Sequence, residues 1–181
     1  MEFARGQLLI AGPQLMDANF WRTVVLIVEH SREGALGLVL NRPSEATVGE
    51  TVPELHEILD EDQQVFLGGP VAPSSVIVLA RFADPDAAAL NAFGDVGVLA
   101  GDVSLDRPQE GIAQGRAFVG HAGWGPGQLD AELERGDWIL EPARHSDAFA
   151  ADPQTLWAAV LARKGGSYAL LARMPADPSV N

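Results

Sequence analysis

The first forty residues alternate between apolar blocks and turn residues. Leu8-Leu9-Ile10-Ala11 reads as a strand stopped by Gly12-Pro13, and Asp17-Ala18-Asn19 is turn material. Arg22 to His30 is β-branched and almost wholly apolar, which predicts a central strand buried on both faces. Ser31-Arg32-Glu33-Gly34 then turns the chain into a second such run, Ala35 to Leu40, and the short link predicts an antiparallel hairpin. Thr51, Pro53 and Glu54 read as the capped start of a short helix with Leu55, Ile58 and Leu59 on one face.

Strands are predicted at 64–67, 76–80, 96–100 and 116–120. Residues 83–92 read as loop or brief helix, and 108–115 as one or two helical turns. Pro126 is placed at the first position of a helix that carries Leu129 and Leu133 and stops at Gly136; Trp138-Ile139-Leu140 comes next as a short strand. The fullest helix signal covers 153–163. Asp152 caps it, Pro153 opens it, and Leu156, Trp157, Val160 and Leu161 form its stripe, with Arg163 and Lys164 at its negative end before Gly165. Tyr168 to Ala172 reads as a closing strand. Roughly eight strands with three to four helices predict an α+β fold: a compact mixed or antiparallel β-sheet core with flanking helices, one domain over residues 1–181.

Composition narrows the function. Of 181 residues 47% are hydrophobic and 20% charged, a globular balance. The start of the chain lacks a secretory pattern and no apolar run is long enough to span a bilayer, so a cytoplasmic protein without membrane contact is expected. The absence of cysteine excludes disulfides, thiolate nucleophiles and cysteine-ligated metals. A net charge of -13, from 12 basic and 25 acidic residues, repels phosphate backbones, so no direct nucleic-acid binding is expected and a protein partner remains open.

A search for chemistry yields little. His30, His56, His121 and His145 lack zinc-site spacing, and His145-Ser146-Asp147 reads as an exposed loop. No serine sits in Gly-x-Ser-x-Gly. No catalytic, metal or cofactor-binding residue is therefore assigned. The most unusual segment runs from Gly120 to Leu129. It has neither the Walker A nor the dinucleotide glycine pattern. Two readings stand: a tight strand-to-helix turn with Trp124 packed over the core, or a ligand-binding turn at a helix start with His121 as acid–base group. The candidates for a ligand-binding or structural turn are Arg42, Gly69, His121, Gly123, Trp124, Gly127, Gln128 and Glu132. Arg42 could hold a carboxylate or phosphate, or pair with Glu29 or Glu45.

At these residues the chain resembles the YqgE/AlgH family. The likeness rests on GQLLIAGPQLMDANFWRTVVLIVEHSREGALGLVLNRP at 6–43, FLGGPV at 66–71, FVGHAGWGPGQLDAELERGDWI at 118–139 and WAAVLARKG at 157–165. Residues 81–115 depart most, and His121 stands where the family pattern usually has tyrosine. The resemblance implies a compact α+β domain of the bacterial cytoplasm. Members are often labelled transcriptional regulators, and the resemblance carries over no catalytic residue, ligand or cofactor. Two functions are expected: a non-enzymatic regulatory or interaction protein, or a small-molecule or anion-binding domain, including a small enzyme, with its pocket near turns 41–43, 68–70 and 120–128. A shared concave polar pocket would favour the second, and widely separated turns would exclude it.

Overall fold

The computed structural model describes residues 3–99 and 111–176. Strands β1 (Gln7–Ala11), β2 (Val24–Ser31) and β3 (Gly34–Val39) pair antiparallel, β2 and β3 as the expected hairpin. Their unbroken apolar sequence follows from burial on both faces. Leu8, Ile10, Leu26 and Leu38 enter one core, while Leu9, Val25, Ile27 and Val39 enter another.

The chain continues through β4 (Pro43–Thr47), α1 (Val48–Thr51), a 3-10 turn at Pro53–Glu57, β5 (Gln64–Leu67) and the long β6 (Val71–Phe82). After β7 (Leu90–Phe93) and β8 (Val96–Val98) comes β9 (Ile112–Trp124). The last elements are α2 (Gln128–Arg135), β10 (Trp138–Pro142), α3 (His145–Ala148), α4 (Leu156–Lys164) and α5 (Ser167–Leu171). The fold is α+β, as expected.

The sheet runs β10-β1-β2-β3-β9-β6-β8-β7, with β5 beside β9 and β4 beside β5. β9 joins its two halves. Its end pairs with β3 at Gly123↔Leu36, its body with β6 at Phe118↔Ile77, and β5 runs parallel to it at Phe66↔Phe118. The main core is closed by α4 through Leu156, Trp157, Val160 and Leu161, the predicted stripe. The second core lies under Leu129 of α2 and Trp138, the third under Val48, Leu55 and Leu59.

Several local expectations are corrected. The first helix begins earlier: Thr47 caps α1 and exchanges hydrogen bonds with Glu50 in a capping box. Thr51–Glu54 repeats the same spacing, but Pro53 forces Val52 out of helical geometry (φ -141°), and Pro53–Glu57 forms only a 3-10 turn. Pro126 precedes the first position of α2; Gly127, left-handed at φ 73°, is the residue that caps it. Asp152 makes no side-chain cap, and a 3-10 turn at Pro153–Thr155 comes before α4. Within 108–115 the described residues turn at Gly111 and enter β9, and 108–110 lie outside the described residues, as does position 100 of the predicted 96–100 strand. Tyr168 to Leu171 is helix, not strand, and Ala172 is its C-cap. Gly165 and Gly166, both at positive φ, fold the segment back so that Tyr168, Leu171 and Ala172 pack on the main core.

The β7–β8 hairpin is tied to α3 by Asp95, which accepts from Arg81 at 3.0 Å and lies 2.5 Å from His145 Nε2. Burial opposes ionisation of Asp95, but the hydrogen bonds and charges of Arg81 and His145 outweigh it and hold the carboxyl below its usual range. A depressed folded-state pKa gives stability that is fully present above the unfolded value, about 3.9, and is lost as pH falls through the folded value. Urea midpoints measured from pH 6 to 2.5 should therefore fall more steeply below about pH 4 in the native sequence than in Asp95→Asn.

Candidate functional site

Gly68, Gly69 and Gly120 mark a place where two backbones cross in contact. Gly69 has φ 151°, and a Cβ there would lie 2.2 Å from the His121 carbonyl carbon; one on Gly120 would lie 2.3 Å from the Gly69 oxygen. The glycines are demanded by packing. Gly68 N–H donates to Val119 and Leu67 N–H to Arg42, so turns 41–43 and 68–70 and the middle of β9 are neighbours. Arg42, Gly69, Pro70 and Val119 share a cavity of about 170 Å³.

The remaining candidates are turned elsewhere. Trp124 and Trp138 both donate their indole N–H to Glu132 Oε2, at 2.9 and 2.8 Å. Gln128 donates to Glu132 Oε1 and accepts from Gly125 N–H. The two indoles and Phe20 pack as one aromatic group. Trp124, Gln128 and Glu132 thus bind one another across the second core, with Gly127 as helix cap. Gly123 lies exposed on β9, and His121 stands beside the glycine crossing with Nδ1 buried and, among the described residues, without a hydrogen-bond partner. Glu132→Ala would strand two indole donors, each costing about 1–3 kcal/mol. Urea unfolding followed by tryptophan fluorescence should show that loss, and a smaller one for Glu132→Gln, which retains an acceptor oxygen.

Neither Glu29 nor Glu45 pairs with Arg42. Its guanidinium donates to the carbonyls of Ala18 and Trp21, and burial lowers its pKa against the pull of Asp17. Beside it, Asn41 accepts from Val24 N–H and donates to the Arg22 carbonyl. Together Asn41 and Arg42 clamp the loop before β2. Held in this way, Arg22 takes φ 54°, a left-handed conformation that is strained for a side chain, at about 1–3 kcal/mol. Its guanidinium lies 4.3 Å from the Trp157 ring centre and 5.4 Å from that of Trp21. Nη2 donates to the carbonyls of Met174 (2.5 Å) and Pro175 (2.8 Å). Arg22 thus enters a cleft of about 250 Å³, bounded by Met16, Trp21, Trp157 and Met174.

The family model described as AlgH-like matches residues 8–169. The chain belongs to the AlgH-like family. It is 42% identical to a UPF0301 protein of Thermobifida fusca over 97% of this chain and 94% of that one. It is 40% identical to the UPF0301 protein SCO2948 of Streptomyces coelicolor, with the same coverage. Among solved structures, protein DIP2367 of Corynebacterium diphtheriae superposes with a TM-score of 0.83 at 30% identity, covering 96% of this chain and 94% of that one. The AlgH protein PA0405 of Pseudomonas aeruginosa gives 0.71 at 29%, covering 97% and 96%.

In this AlgH-like chain, sequence reasoning missed Arg22 as a site residue by reading it as the first residue of a strand. The available signal was the apolar character of the loop before it: Leu15, Met16, Phe20 and Trp21 are too many large apolar side chains for a plain turn. His145 and Asp147, two residues apart, point to different partners, Asp95 and Arg163. Among the described residues no group of three His, Asp or Glu side chains is arranged to hold a metal, and no helix is long and apolar enough to cross a membrane.

Proposed function

We propose that this protein is a cytoplasmic, non-enzymatic regulatory or interaction protein that acts through a ligand or protein partner rather than by reading DNA. The observation that carries this reading is where six of its 12 cations go. Arg81, Arg135, Arg163 and Lys164 engage carboxylates, while Arg22 and Arg42 engage main-chain carbonyls. DNA binders instead present a concentrated basic face. α4 and α5 are two helices joined by a two-residue turn, a resemblance to a helix-turn-helix, but α5 (Ser-Tyr-Ala-Leu-Leu) carries no cation. Fluorescence anisotropy against pooled genomic fragments at about 150 mM salt should show no saturable binding below about 1 μM; competitor-resistant binding in that range would refute the reading.

A second reading, a small-molecule or anion-binding domain, is favoured by the cavity that Arg42 and Gly69 share. Amide shifts of Gly69 on titration with inorganic phosphate test it.

A further inference from the structure

We infer that the cleft at Arg22 binds a small apolar carboxylate, an aryl or short acyl acid, with Arg22 taking the carboxylate and Trp21 and Met16 the apolar body. The walls set the class of ligand. The exposed Trp21 indole and the flexible side chains of Met16 and Met174 offer apolar, adaptable contact, over a floor that includes the buried Trp157. At about 30 Å³ for each water-sized group, roughly eight such groups fill the space, enough for one ring or a short chain and too little for a nucleotide.

Arg22 supplies the polar end. It is stacked on Trp157, and burial lowers its pKa from the ordinary arginine value without removing its charge. Its hydrogen-bond partners are two neutral carbonyls, of Met174 and Pro175, in the segment that lines one side of the cleft. A carboxylate is the stronger acceptor for a guanidinium and meets two of its N–H groups at once, so an incoming acid can displace these carbonyls. The left-handed backbone at Arg22, imposed by Asn41 and Arg42, aims the side chain at this place, and strain of this kind is kept where the surroundings enforce it. Met16 and Met174, well exposed, and Trp21 at the rim leave the cleft open to solvent.

This assignment gives the proposed indirect action a ligand, yet its test involves no nucleic acid, so either can fail alone. The full-length protein is titrated with phenylacetate, phenylacetamide and inorganic phosphate at constant ionic strength, following tryptophan fluorescence. Phenylacetate should give a saturable change, at least tenfold weaker with phenylacetamide, with phosphate, and in Arg22→Gln. Displacement of the Met174–Pro175 carbonyls should also speed tryptic cleavage after Arg173 when phenylacetate is present. If Arg22→Gln fails to fold, Trp21→Ala, at an exposed position outside the cores, should weaken binding likewise. Absence of a saturable signal, equal affinity for acid and amide, or undiminished binding in whichever variant folds would overturn the assignment.

Discussion

Trp157→Ala should destabilise the protein by about 3–5 kcal/mol, the usual range for removing a buried aromatic. Trp157 is 5% exposed, at the centre of the α4 stripe. Its indole N–H donates to the Ala11 carbonyl at 3.0 Å, the bond that fastens α4 to β1. Truncation therefore opens a cavity and removes that donor together. Trp157→Phe should recover most of the packing but leave the carbonyl unsatisfied, a remaining loss of about 1–3 kcal/mol. At 2–4 °C per kcal/mol for a chain of this size, the alanine variant should melt roughly 6–20 °C lower. A loss under about 1 kcal/mol in denaturant titration would show that the stripe carries little of the core.

Asp147→Asn should cost about 3–5 kcal/mol by a different route. Asp147 is 3% exposed. Its two oxygens accept from Arg163 at 2.8 and 2.9 Å, and Oδ2 also caps α3 by accepting from Arg144 N–H. Hydrogen bonding to Asp147 raises the Arg163 pKa, with Glu141 adding to the effect against burial. Neutralising Asp147 alone leaves a largely buried guanidinium with Glu141, 3.6 Å from its Nε, and the Pro142 carbonyl, 3.3 Å from Nη2, in partial compensation. Replacing both Asp147 and Arg163 with leucine removes the stranded charge as well. The double variant should therefore be more stable than the sum of the single losses implies, and a double-mutant cycle by urea unfolding measures the difference.

What could be read from the sequence was whatever the side-chain period states unambiguously. β2 and β3 declared themselves because strands buried on both faces need unbroken apolar runs. The α4 stripe did so because four apolar residues recur at helical spacing. Tyr168–Ala172 failed because five residues are too few to show a period, and only the glycine pair before it fixes where it lands. Thr47–Glu50 and Thr51–Glu54 offered the same capping spacing four residues apart, and the choice between them was made by Pro53. At the candidate site, Arg42 and Gly69 were visible as unusual residues but their roles were not. An arginine that clamps a loop through carbonyls looks in sequence like one that awaits an anion. The Glu132 network was half visible, since its acceptor and both indoles lie close together in the chain, whereas Phe20 joins the group from a distant segment.

The position of β9 also governs how the chain can be made. β3 pairs on its free side with β9, and β1 with β10, so the first three strands leave the ribosome with both sheet borders unpaired. Between the end of β3 and the start of β9 lie residues 40–111, which at about 5–20 residues per second is roughly 4–14 s of synthesis. During that interval the most apolar strands of the protein are complete and their neighbours do not yet exist. Their pairing is non-local by construction, which places folding at the slow end for a chain of this length. The nascent N-terminal hairpin is then the species on which holdase chaperones and aggregation compete.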